Sequence, residues 1–457
     1  MGGYSMKKKV SVVLSTLLCL LVVISAAFIP AEAANYKNKV KVESKSALLI
    51  NLDTGQTVYE READKRRYPA STTKIMTYIV VAEHVDSFKR TRVQIKQSVL
   101  DILNGTGSSV AHVSSHVGQT MTVLDLLYSM MVPSGNDAAV VLADYIGGGS
   151  IEKFVKMMNK KAKELGCKDT HFENPDGLHD KNHYTTARDL AIMTQYALTL
   201  PEFSKITNTT TYYVQGESFP LVTTNYLIDA NRGGDYYYPY AQGIKTGTTD
   251  EAGHCLVTLG SADGYSYLGV FLKSPYNSDP TKDTYGTMKD AKELFRWALT
   301  QLELNQVASN ETPMREEKIN LAWGKNSVQL VPEKNINAIV PKDYKESDIK
   351  VETKVPDSID APVKKGDVIG KATVYYTGSM VKQKTKLAEV NLVASETVER
   401  SGILYVFSVI QKVVFSNWFI VIIAAIVVLL IIYIIISSII KRHSRKRKRN
   451  VRRYRNF

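Results

Sequence analysis

The sequence predicts an α+β fold: an antiparallel sheet flanked by helices, followed by a small all-β sandwich and a C-terminal transmembrane helix. Three observations predict it. Strand–turn–strand patterns stand early and late in the first 300 residues, with helical periodicity between them. Short alternating segments separated by Pro and Gly turns fill residues 311–398. Residues 418–440 are an almost unbroken run of Ile, Val, Leu and Ala, longer than the roughly 20 residues a hydrocarbon core requires.

In chain order, residues 1–33 read as a secretory signal. Lys7, Lys8 and Lys9 precede an apolar run from Val10 to Ile29, and Ala31 and Ala33 supply small residues ahead of a cleavage point before Ala34. A first domain over 34–305 opens with a hairpin: residues 47–52 are apolar, 53–56 form a turn and 57–59 return. A helix carrying Ile75, Met76, Ile79 and Val80 follows Pro69. Helical patterns at 122–131 and 137–146 bracket the short loop 132–136, in which Gly135 is expected to relieve the backbone. Ser150 is placed to cap a helix bearing Phe154, Met158 and Leu165. A second hairpin, 256–262 and 265–272, turns on Asp263-Gly264, a favoured tight-turn pair. A helix at about 288–304 closes the domain. The sandwich occupies 306–398, a mildly amphipathic linker 399–416, the membrane helix 417–440 and a basic tail 441–457.

The formal net charge of +13 suggests a nucleic-acid partner until the charge is located. Ten Lys or Arg and no acid lie in the last seventeen residues, and Lys7 to Lys9 add more at the other end, so the stretch between is close to neutral. Nucleic acid is therefore excluded as a partner, and the basic tail is expected on the cytoplasmic side with the body of the chain outside. Cys167 and Cys255 remain after signal removal; they read as independent thiols, with a single disulfide as the alternative.

Three short motifs occur in order: Ser71-Thr72-Thr73-Lys74, Ser134-Gly135-Asn136 and Lys245-Thr246-Gly247. Ser-x-x-Lys also occurs at Ser5, Ser150, Ser347, Ser379 and Ser438, so context has to separate them. Ser71 alone sits at a helix start before an apolar helix, and a three-residue offset brings Lys74 within reach of its hydroxyl. A serine hydroxyl is a poor nucleophile without a neighbouring base, and lysine is a base only when burial or a helix dipole lowers its pKa. The Ser71 backbone N–H then offers one oxyanion donor, and that of Thr248 a second. Ser134 is placed to relay a proton to the leaving amine. Asn136 can hold a substrate amide, or cap the following helix. Lys245 and Thr246 on a sheet edge suit a substrate carboxylate. The set and its order match the serine β-lactamase and penicillin-binding pattern, with Ser-Gly-Asn for Ser-Asp-Asn.

The stretches YPASTTKIMT, MVPSGNDAAVVLADYIGG, FENPDGLHDKNHYTTARDLA and GIKTGTTDEAGHCLV resemble the low-molecular-mass penicillin-binding DD-carboxypeptidases, strongly over about 40–305 and more loosely over 311–398. The resemblance implies a DD-peptidase catalytic domain with that family's β-domain behind it. It implies removal of the terminal D-alanine from peptidoglycan stem pentapeptides through an acyl-enzyme on Ser71. It also implies β-lactam antibiotics as covalent inhibitors. Lys74, Ser134, Asn136, Lys245 and Thr246 take the roles argued above. Many relatives attach through a helix lying on the membrane, whereas this chain carries a full span and a basic tail.

Arg188 is read either as a substrate contact or as an ion pair with Asp189 or another acid. His112/His116 and His179/His183 have i, i+4 spacing, but neither pair holds the Glu of His-Glu-x-x-His, so neither a metal nor another cofactor is expected. Three rival functions share the motifs or the architecture. A β-lactamase lacks its Glu-x-x-Leu-Asn segment here; a DD-endopeptidase would cut cross-links; a wall-binding scaffold would not use Ser71 at all.

Overall fold

A computed structural model describes residues 36–279, 281 and 283–453, so the signal segment and its Cys19 lie outside the described residues. The chain divides into two compact units. The first holds the chain up to Ala308 together with Ile336–Glu352 and Thr373–Glu389; the second holds Ser309–Asn335, Thr353–Ala372 and Val390–Phe457.

In the first unit, strands β1 (Ser46–Asn51) and β2 (Thr57–Arg61) form the early hairpin. Helices α1 (Lys74–His84), α2 (Val123–Met131), α3 (Asn136–Ile146), α4 (Ile151–Glu164) and α5 (Ala187–Ala197) follow. Strands β3 (Ala241–Thr249), β4 (Gly253–Ala262) and β5 (Tyr265–Ser274) come next, and then helix α6 (Gly286–Gln301). The five strands make one antiparallel sheet in the order β2-β1-β5-β4-β3. Its outer strands thus come from opposite ends of the domain. The β4–β5 turn falls on Asp263-Gly264, with Ala262 opposite Tyr265.

Side chains on a strand alternate between faces, and the two faces of this sheet have different partners. Leu48, Ile50, Val257, Leu259, Leu268 and Val270 join one buried cluster with Ile75, Ile79, Leu126, Leu142, Phe154 and Leu190 of the helices. The intervening positions face α6, whose Phe295 lies against Gly260 and Gly269. Helix α1 is buried along its first two turns, Lys74 to Val81, where the sequence is mostly apolar and the Thr77 and Tyr78 hydroxyls donate to the Pro175 and Pro201 carbonyls.

Caps appear where short hydroxyl side chains precede periodic runs. Thr122, Ser150 and Thr186 each accept from the backbone N–H three residues on, opening α2, α4 and α5. Helix α6 ends at Gln301, earlier than the expected 304, because the chain turns directly into strand β6 (Leu302–Ala308). That strand pairs antiparallel with β7 (Ile336–Pro341), Leu302 opposite Pro341. Tyr36 Oη and Gln56 Nε2 both donate to the Ile339 carbonyl, at 2.7 and 2.9 Å, which ties these strands into the first unit.

In the second unit, Arg315–Asn320 pairs antiparallel with Ser327–Pro332 and parallel with Ile359–Asp360, and Ser327–Pro332 pairs with residues 392–394. The linker is helical over Gly402–Val414, with Ile403, Phe407 and Ile410 exposed. A long helix runs Asn417–Arg453, and its Asn417–Arg445 portion is apolar and long enough to cross a membrane. Cys167 and Cys255 are both free thiols, as the independent reading expects.

Candidate functional site

The site is built at the turn entering α1. Residues Ala70–Thr73 form a single 3-10 turn, and Ala70 adopts a left-handed backbone, φ 47°. Two chains close tightly on that turn, and each does so with a glycine. A Cβ on Gly177 would lie 1.9 Å from the Ala70 carbonyl oxygen, and one on Gly247 of β3 would lie 2.8 Å from the Ser71 nitrogen. Gly177 also holds φ 91°. Ser71 is thereby set between the 174–178 loop and the edge strand, half-buried.

Lys74 is fully buried, and its Nζ donates to three acceptors: Ser71 Oγ at 2.9 Å, Asn136 Oδ1 at 2.6 Å and the Asp176 carbonyl at 2.7 Å. These satisfy all three hydrogens of the ammonium form. Burial nevertheless lowers its pKa to about 8, against the opposing pull of the Asp176 and Asp137 carboxylates. Neutral Lys74 keeps a lone pair within hydrogen-bond reach of the Ser71 hydroxyl, the arrangement a general base requires.

Asn136 opens α3 as its first residue, so it does not cap the helix with its side chain. Its Oδ1 accepts from Lys74 and its Nδ2 donates to Ser108 Oγ at 3.1 Å. Gly135 holds the cap position without a side-chain bond, and the Asp137 carboxylate inside the first turn accepts from the Ala111, Val113 and Ala138 N–H groups at 2.9 Å. Ser134 is buried in the α2–α3 turn, and the strained φ of 70° falls on it, not on Gly135. Among the described residues no hydrogen bond joins Ser134 to Ser71 or Lys74.

Lys245 is buried on β3, and its Nζ donates to the Thr246 carbonyl at 3.0 Å. Burial, reinforced by the like charge of Lys74, pushes its pKa well below the usual ammonium range. The Thr246 hydroxyl bonds that of Thr224, and the exposed Thr248 lies with Oγ1 3.0 Å from His254 Nδ1. Gly247 of this edge strand lies against the Ser71 turn, and Thr246 and Thr248 alternate with Lys245 and Gly247 along it.

Arg188 stands apart from this cluster. In the first turn of α5 it donates to Asp64 (2.7 and 3.0 Å) and to Glu60 (2.7 Å), which holds its guanidinium above its usual range, Asp64 contributing most. The ion-pair alternative is the one found here, though with these acids instead of Asp189. Asp189 accepts from the Lys168 and Asp169 N–H groups and the Thr170 hydroxyl. The histidine pairs hold no common ligand. His116 pairs with Glu217, while His183 is buried with Nε2 2.8 Å from Thr73 Oγ1 and Nδ1 accepting from the Glu173 N–H. Among the described residues no group of three or more His, Cys, Asp or Glu is placed to hold a metal ion.

Sequence reasoning missed four contributors: Asp176, Ser108, Thr224 and the His254–Asp283 pair. Asp176 acts through its main-chain oxygen, which no side-chain pattern signals. The turn-forming Asn174-Pro175-Asp176-Gly177 was the available hint.

A family profile described as D-alanyl-D-alanine carboxypeptidase matches residues 32–275, and one described as the C-terminal domain of penicillin-binding protein 5 matches 303–400. The chain is 32% identical over 399 residues to a D-alanyl-D-alanine carboxypeptidase, DacF, of Bacillus subtilis, covering 86% of this chain and 95% of that one. Penicillin-binding protein 5 from Haemophilus influenzae superposes with a TM-score of 0.62 at 28% identity, over 80% of this chain and all of the other. The Streptomyces K15 DD-transpeptidase does so at 0.51 and 32%, over 57% and 98%.

Proposed function

This chain belongs to the D-alanyl-D-alanine carboxypeptidase family, a serine peptidase of the penicillin-binding type, and from that premise we propose that Ser71 is its nucleophile and Lys74 the base. One observation carries the assignment: a desolvated Lys74 amine 2.9 Å from the Ser71 hydroxyl. Neutral Lys74 takes the hydroxyl proton as Ser71 Oγ attacks the carbonyl of the penultimate D-alanine. The developing oxyanion is met by the N–H groups of Ser71 and Thr248. Lys245 and Thr246 hold the terminal carboxylate, and Asn136 both orients Lys74 and faces the substrate amide. Collapse of the tetrahedral intermediate expels the terminal D-alanine, its amine protonated through Ser134. Water then cleaves the ester, with Lys74 again taking a proton, and the trimmed stem peptide leaves. Penicillin enters the same path, and its tethered leaving group stays on the acyl-enzyme.

The substrate in this reading is a peptidoglycan stem peptide ending in D-Ala-D-Ala. The 417–440 span anchors the chain, with the catalytic domain outside the membrane and the tail inside. The basic run that begins at Lys441, directly after the apolar helix, supports that orientation.

Intact-mass analysis of the full chain in detergent after exposure to penicillin tests the core of this reading. One drug adduct is expected on the wild type and none on Ser71→Ala. A wild type that folds yet takes no adduct overturns the assignment.

A further inference from the structure

A second buried polar chain runs behind the edge strand. His254 of β4 is buried directly across the ladder from Thr248. Its Nδ1 lies 3.0 Å from Thr248 Oγ1, and its Nε2 lies 2.8 and 3.0 Å from the two oxygens of Asp283. The Asn277 N–H donates to the same carboxylate at 3.0 Å. Partial burial works against ionisation of Asp283, but the Asn277 N–H and the imidazole hold its carboxyl below the usual range. The chain therefore runs from an exposed hydroxyl on the edge strand, through a buried imidazole, to an ionised carboxylate.

Hydrogen-bond counting fixes what this chain can do. An ionised carboxylate only accepts, so Nε2 carries a hydrogen whether the ring is neutral or charged. Nδ1 is then the variable atom. In the neutral ring it is a bare acceptor and takes the Thr248 hydrogen, which leaves hydroxyl lone pairs facing out of the edge. In the imidazolium it donates to Oγ1, and the Thr248 hydrogen points outward. A carboxylate at the edge is hydrogen-bonded in the second state and repelled by lone pairs in the first.

We propose that His254, held by Asp283, is a positioning residue that sets whether the Thr248 hydroxyl donates to the terminal carboxylate of the substrate. The proposal rests on the carboxypeptidase reading and deepens it: recognition of the carboxylate is coupled to the charge of a side chain that never touches the substrate. Binding is tighter while His254 is charged than while it is neutral. The groups packed against the ring are Asp283 and Tyr285 from the segment entering α6 and Tyr276 from the turn after β5, the rings at 5.0 and 5.4 Å. Ser274 of β5 lies opposite His254. Lys273 is turned to the Glu251 carbonyl.

The test measures the dissociation constant of an acyl-D-Ala-D-Ala peptide on the full chain in detergent, from pH 5 to 9. A Ser71→Ala background prevents turnover. Lys245 titrates against the same carboxylate, so the quantity to read is the ratio of constants with and without Thr248→Val. That ratio is expected to be about ten- to a hundredfold at low pH, the size of a hydrogen bond to a charged group, and to fall toward one at high pH. Thr248→Ser should keep the parent behaviour, and His254→Asn should make the ratio independent of pH. A ratio that is flat with pH in the parent, or one that still varies in His254→Asn, overturns the proposal. If His254→Asn fails to fold, the exposed Thr248 variants decide it alone. Peptide binding to Ser71→Ala beside a folded wild type that takes no penicillin adduct would overturn only the nucleophile assignment, whereas no peptide binding at any pH would overturn both.

Discussion

A lysine that must be neutral to work makes the rate a titration curve. With Lys74 lowered to about 8 by burial, penicillin acylation should rise with pH through that value and level off above it, as a stopped-flow or quench series would record. Lys74→Ala should slow acylation by about 10² to 10⁴ at every pH and remove the rising limb. His183 offers a separate test, on stability. Burial lowers its pKa from 6.5 to about 3, so between those values the unfolded chain binds a proton that the folded chain refuses. Stability must fall as pH drops through that window, by about 1.4 kcal/mol per pH unit at the steepest. His183→Gln should flatten the acid side of a denaturation-midpoint series; an unchanged slope would place the acid sensitivity elsewhere. The proposed catalytic side chains were legible because Ser71, Lys74 and Lys245 each carry a charge or hydroxyl in an ordered motif. Their tuning was not, since it comes from an Asp176 main-chain oxygen and from desolvation, which have no letter in the sequence.

Elements were read from periodicity, and their ends were set by competition among local bonds. Ser150 opens α4 as expected, accepting from the Lys153 N–H at 3.2 Å. Ser150→Ala should cost about 1 kcal/mol, visible as a lowered urea midpoint with penicillin acylation at 20 °C unchanged. Asn136 fits a cap equally well by type, yet its amide oxygen is taken by Lys74 and the cap is left to Gly135 without a side-chain bond. The two alternatives were open in the sequence because a cap and a catalytic contact ask for the same amide. Helix α6 stops three residues early for a different reason: strand β6 needs Leu302 for its ladder with Pro341, a pairing 39 residues away in sequence that no local window sees.

At the scale of the whole molecule, the apolar helix after residue 417 was the easiest feature to read, since its composition alone excludes a soluble surface. Removing residues 401–457 should move the enzyme from the membrane to the soluble fraction while leaving D-alanine release from a stem peptide within about twofold; fractionation with an activity assay checks both. The two buried lysines carry a consequence for the empty protein. An empty site holds two buried lysines whose charged forms burial disfavours, and a ligand carboxylate beside Lys245 is what would restore its charge. A bound peptide carboxylate should therefore raise the denaturation midpoint above that of the empty protein, as a thermal series with and without an acyl-D-Ala-D-Ala peptide on Ser71→Ala would record.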